Sequence, residues 1–166
     1  MTRIGIAMAA SAVAVALFAG MPAGYAAGGG GGDSSSLTSR PNSPADPNYT
    51  AAVAAIQAKD YARAIPLLNQ VIAKDSRNAD ALNYMGYSLR QTGKLDDALG
   101  YYEKALAVDP NHRGAHEYLG ELYLQKGDVK NAEVQLAKLD DICTFGCEEY
   151  RDLKRKIAAF KSGKSS

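Results

Sequence analysis

From about residue 48 to residue 161, apolar side chains return every three or four positions, the spacing that gathers them on one face of an α-helix. The pattern is sharpest between Ala79 and Pro110. There Leu82, Met85, Gly86 and Leu89 mark one amphipathic helix and Ala98, Tyr102 and Ala105 a second. Gly93 between them suits the left-handed residue that closes a helix, and Asp96 and Asp97 place negative charge in the first turn of the next. The stretch is a predicted helical hairpin.

Moved by 34 residues, the same pattern reappears: Gly86 becomes Gly120, Gly93 becomes Gly127, Ala98 becomes Ala132 and Tyr102 becomes Leu136. Moved the other way it meets Ala64 and Leu68. The first unit is the most degenerate, with Ala51, Ala52 and Ala55 where larger residues usually pack, Lys59 and Asp60 in place of the glycine turn, and Pro66 predicting a slight kink in its second helix. Asn111, after Pro110, is the expected amino-terminal cap of the third unit. Gly86 and Gly120 are expected where the two helices of a hairpin cross closely. From Cys147 the period runs on for half a unit through Tyr150, Leu153 and Ile157, but Lys154 stands where Gly86 and Gly120 stand. That predicts a terminal helix with no second helix against it and an outer basic face of Arg151, Lys154, Arg155, Lys156 and Lys161.

A 34-residue period of paired helices resembles the tetratricopeptide repeat family. Leu82, Met85, Gly86, Leu89, Ala98, Tyr102, Ala105 and Pro110 stand at its eight signature positions, with Leu82 where the family prefers Trp. The resemblance implies an all-α fold, a right-handed α-solenoid of about three helix-turn-helix units over 45–78, 79–112 and 113–146, closed by a capping helix over 147–161.

Composition changes the picture at the two ends. Of 166 residues, 46% are hydrophobic, much of it Ala, which fits closely stacked helices. Residues 1–26 carry Arg3, an uncharged apolar run over 4–18, then Pro22, Gly24 and Ala26, the order of a secretory signal peptide cleaved after Ala26. The competing reading of that run is a retained membrane anchor. Residues 27–47, with five consecutive glycines, a serine cluster and three prolines, read as a disordered linker, and 162–166 as a disordered tail. The expected destination is the periplasm or the exterior. The formal charge of +1 gives no basic field for nucleic acid.

Candidate chemistry is sparse. Cys143 and Cys147 form an even pair in a chain expected to be exported, and Gly146 gives the turn between them the freedom to close, so a structural disulfide is the first reading. A reactive dithiol or a soft-metal site, in a thiol- or metal-handling accessory factor, is the alternative. His112 and His116 are four apart and could share a helix face, but one falls in a turn and the other at the core position of Leu82. No phosphate-binding loop or activated nucleophile is legible, so neither an enzyme nor a cofactor is expected.

What remains is a binding surface. The resemblance implies that the first helix of each unit lines a concave groove for peptide segments. It places Tyr49, Val53 and Ile56 there from the first unit, Asn83, Tyr84, Tyr87 and Arg90 from the second, and Glu117, Tyr118, Glu121 and Gln125 from the third. Tyrosine offers apolar area with a hydrogen-bonding tip, which suits peptide capture, although the same rings could pack between units. Family members that grip a chaperone's carboxyl-terminal tail use Lys, Asn and Arg at positions held here by Tyr49, Val53, Tyr84, Gly114 and Tyr118, so that clamp is not implied. The expectation is a non-enzymatic interaction scaffold of the bacterial envelope with an unidentified protein or peptide partner. Self-association through the ends of a short solenoid is a further reading.

Overall fold

The computed structural model describes residues 46–163; the expected leader, nearly all of the expected linker and residues 164–166 lie outside them. The described chain is seven α-helices: α1 (Pro47–Gln57), α2 (Tyr61–Lys74), α3 (Ala79–Gln91), α4 (Leu95–Val108), α5 (Arg113–Gln125), α6 (Val129–Ile142) and α7 (Glu148–Lys161). There is no strand among the described residues. Helices α1 and α2, α3 and α4, and α5 and α6 form hairpins, α2 packs on α3 and α4 on α5, and α7 lies against both α5 and α6. The all-α solenoid expected from the 34-residue period is therefore the fold. Its start is earlier than the linker boundary implied: Asp46 caps α1, its carboxylate accepting from the Asn48 N–H at 2.8 Å, and Pro47 opens the helix, where its missing N–H costs nothing.

Caps recur at the repeat period. The side chains of Asp60, Asn78 and Asp128 each accept from the N–H three residues on. In α5 the cap is His112, whose Nδ1 accepts from the Ala115 N–H at 3.1 Å, and not Asn111 as expected. The reason is register: His112 stands 34 residues after Asn78, whereas the Asn111 N–H is turned to the Asp109 carboxylate. Gly93 and Gly127 take φ of +80° and +76° in the turns inside the second and third hairpins. Lys59, at the equivalent place in the first, takes φ +59°, a left-handed conformation that its Cβ makes costly.

One continuous core runs through the first two units and into α5, from Ala52, Ala55, Ala64, Leu68 and Val71 through Met85, Leu89, Ala98 and Tyr102 to Leu119 and Leu122. Small residues set its spacing. A Cβ on Gly86 would stand 2.7 Å from the ring of Tyr102, which is fully buried in the partner helix α4, so this hairpin closes as expected. Gly120 differs. A Cβ there would meet Leu153 of α7 at 2.5 Å, not a residue of α6, because the cap leans onto α5 and its leucine fills the notch. Leu153 and Ile157, with Leu124, Ala132 and Leu139, form a separate core that fastens α7 to the third unit. Burying those two aliphatic side chains stabilises the cap by roughly 3–6 kcal/mol before ordering costs.

The same lean revises the basic face. Arg151, Lys154, Arg155 and Lys161 are exposed, but Lys156 is half-buried and turns inward to pair with Glu121. A disulfide joins Cys143 to Cys147 across the turn between α6 and α7, where Gly146 takes φ +76° and Phe145 is 98% exposed at the tip.

Candidate peptide-binding face

The side chains expected to line the groove come from α1, α3 and α5, and the structure brings their rings together across unit boundaries. Tyr49 lies 6.1 Å from Tyr84, centroid to centroid, and Tyr87 lies 4.9 Å from Tyr118. Tyr61, at the start of α2 and absent from the expected set, sits edge-on to Tyr87 at 6.0 Å. These rings are half-buried, so each serves the packing between units and still presents an edge on the face. Burial pushes the hydroxyls of Tyr49, Tyr84, Tyr87 and Tyr118 above the ordinary phenol value, so near neutral pH they are protonated donors.

Beneath them lies an ion pair. Arg90, with 3% of its side chain exposed, meets Glu121 at 2.6 Å and stacks against two of the rings, its guanidinium carbon 5.4 Å from the centroid of Tyr87 and 5.9 Å from that of Tyr118. Burial works against its charge, and Glu121 with Tyr102 more than offsets that, holding the guanidinium above its usual value. Asn83, Arg90 and Glu117 are thus buried, Val53, Ile56 and Glu121 half-buried, and Gln125 exposed at the end of α5. Tyr49 Oη and Asn83 Oδ1 on these helices are buried polar atoms with no hydrogen-bond partner among the described residues, while Arg90 and the Tyr102 hydroxyl face each other behind them. An orphaned buried polar atom costs of order 1–3 kcal/mol.

Neither metal reading gathers ligands here. All four ring nitrogens of the histidine pair are engaged. His112 uses Nδ1 for the cap and donates from Nε2 to the Asp80 carboxylate at 3.1 Å. His116 donates from Nε2 to the Pro110 carbonyl at 2.9 Å and meets the Gln135 side-chain amide through Nδ1 at 2.8 Å. Both cysteine sulfurs are spent on each other. One electrostatic feature had no sequence signal. Burial, with the like charge of Glu121 adding to it, pushes the Glu117 carboxyl up to about 7.

Stacked helical hairpins with a side-chain-lined face along their first helices define the class of α-solenoid repeat proteins. The tetratricopeptide repeat model matches residues 49–107 and again 85–140, and the chain belongs to the tetratricopeptide repeat family. It is 30% identical over 97 residues to the TPR repeat-containing thioredoxin TTL4 of Arabidopsis thaliana and 31% identical over 96 residues to protein FlbA of Caulobacter vibrioides. Those matches take in 58% and 55% of this chain but only 13% and 16% of the relatives' lengths. Among solved structures, the Yersinia enterocolitica type III secretion translocator chaperone SycD superimposes with a TM-score of 0.64 at 20% identity, covering 70% of this chain and 83% of SycD. The complex of SycD with a peptide of the translocator YopD gives 0.60 at 19% identity, covering 70% and 88%. The first TPR of Spaghetti (RPAP3), bound to the HSP90 peptide SRMEEVD, gives 0.61 at 15% identity, covering 69% and 93%.

Proposed function

We propose that this protein is a non-enzymatic interaction scaffold that docks a peptide segment of another protein along the face of α1, α3 and α5. The observation that carries the reading is the set of half-buried tyrosines on those three helices, Tyr49 beside Tyr84 and Tyr87 beside Tyr118, whose rings meet across unit boundaries. A peptide laid across the rings supplies apolar contact to their exposed edges. The peptide-bound fold neighbours, SycD with its YopD segment and Spaghetti with its HSP90 segment, support the same use of this architecture.

The working compartment in this reading is the bacterial envelope. Its support is the leader-like order of residues 1–26, together with a disulfide between Cys143 and Cys147, a bond that persists in oxidising compartments. Fractionation with mass analysis of the amino terminus tests this: a mature chain starting at Ala27 outside the cytoplasm is expected, and an intact cytoplasmic chain overturns it. Docking is tested by selecting from a phage-displayed random peptide library on the full-length protein and on Tyr84→Ala/Tyr87→Ala. Binders to the first that are lost by the second, at equal helicity by circular dichroism, are the expected result. Equal recovery by both sinks the tyrosine face.

A further inference from the structure

Beyond Tyr118 the face of α5 does not continue into open surface. Helix α7 lies against it, and between the two is a pocket of about 310 Å³ lined by Glu117, Tyr118, Glu148, Glu149 and Asp152. Every charged residue on that lining is a carboxylate. The volume is at the bottom of the ~300–1,000 Å³ range of ligand pockets, so the space suits one long side chain and not a length of backbone.

Three of these carboxylates have local reasons to be there. Glu148 and Glu149 stand in the first turn of α7, where the helix dipole favours negative charge, and Glu149 also faces Arg113 at 3.7 Å. Asp152 is held by Arg155 at 2.8 Å. Glu117 is different. It is nine-tenths buried, the most enclosed of the four. Its nearest cation, Lys156 Nζ, is 3.6 Å away, beyond hydrogen-bond reach, and is drawn to Glu121. A desolvated carboxylate on a cavity wall, whose one ion-pair partner is shared with Glu121, gains from a second cation. Tyr118 belongs both to this pocket and to the ring contact with Tyr87, so the pocket continues the tyrosine face.

We infer that the pocket between α5 and α7 is a recognition subsite for a Lys or Arg side chain of the docked peptide, with Glu117 as the buried counter-charge and Tyr118 as an aromatic wall. The inference rests on the peptide-docking reading above and adds its selectivity: partners carry a basic residue in fixed register with the segment that crosses the tyrosines. The raised pKa of Glu117 agrees with this. Near neutrality the carboxyl is partly protonated, so a cation binds with release of a proton, and affinity rises with pH. The other charged groups facing Glu117 are Glu121 from its own helix and Glu149, Asp152 and Lys156 from α7. Lys156 opposes the effect and the carboxylates reinforce it.

The test takes peptides selected from the random library on the full-length protein and measures their affinity for wild type, Glu117→Gln and Tyr84→Ala/Tyr87→Ala. Selected sequences should share a Lys or Arg at one position, and Glu117→Gln should weaken them roughly tenfold to a hundredfold, the worth of a charge-assisted contact. Exchanging that peptide Arg for citrulline should cost as much with wild type and nothing further with Glu117→Gln, and the wild-type arm decides even if the variant folds poorly. Binding should tighten up to about tenfold from pH 6 to pH 8. Peptides lost by the tyrosine variant but without a shared basic residue, or bound equally by Glu117→Gln, overturn the pocket and leave the docking face. Basic peptides lost by Glu117→Gln but indifferent to the tyrosine variant keep the pocket and overturn the face. Selection of no peptide overturns both.

Discussion

Replacing Glu117 with Gln isolates the cost of burying its carboxylate. Its pKa is about 7 in the folded protein, against 4.5 as the ordinary value that applies to the unfolded chain. Between those values the native state holds a proton that the unfolded chain has released. Stability from this group is therefore full below pH 4.5 and is lost as pH rises through 7. The whole gap corresponds to about 3 kcal/mol. The side chain keeps 12% exposure, and solvent screening reduces the expected loss to about 1–2 kcal/mol. Glutamine has the same shape and no charge, so Glu117→Gln should match wild type near pH 4.5 and exceed it by about 1–2 kcal/mol at pH 8. Asp46, Asp96 and Asp128 are held below the ordinary carboxylate value by Lys74, by Lys126 and by the Asn131 N–H respectively. Their contribution is lost only as pH falls below about 4, and both proteins share it. Urea unfolding followed by circular dichroism across pH 4.5 to 8 gives the difference. A difference that does not change with pH, or a less stable variant at pH 8, refutes the reasoning.

Lys59→Gly should stabilise the protein by about 1 kcal/mol in urea titration, since glycine meets no Cβ penalty at φ +59° and already occupies the two equivalent turns. Gly86→Ala should cost about 1–3 kcal/mol of global stability, because the added methyl meets the buried Tyr102 ring. Gly120→Ala should instead speed hydrogen exchange in α7 before the rest, since the atom in its way is Leu153 of the cap. Reducing the Cys143–Cys147 bond should cost about 2 kcal/mol or less, given the short loop it closes, and lower Tm by roughly 5–10 °C in calorimetry. Helix α7 should remain folded, held by Leu153 and Ile157.

Helix number, helix order and the hairpin turns were legible in the chain because they depend on local spacing. Three- and four-residue apolar recurrence makes a helix whatever surrounds it, and Gly93 and Gly127 close theirs through backbone freedom alone. The close helix crossing expected at Gly86 is also met, with Tyr102 as the residue in contact, since that contact lies inside one repeating hairpin. That expectation fails where repetition stops. Helix α7 keeps the apolar period, but with no second helix of its own among the described residues it leans onto α5, where Leu153 fills the notch at Gly120 and Lys156 turns from the solvent to Glu121. The cap at His112 follows Asn78 by one period, and Asn111 beside it is merely the commoner capping residue type. The groove residues were named in sequence, but not which of them would be covered. Arg90 disappears under two tyrosines, and Glu117 becomes the wall of a pocket completed by a helix that begins 31 residues later. Burial, and with it the charge state of Glu117, is set by which remote element comes to rest on a side chain, and only the packed structure decides that.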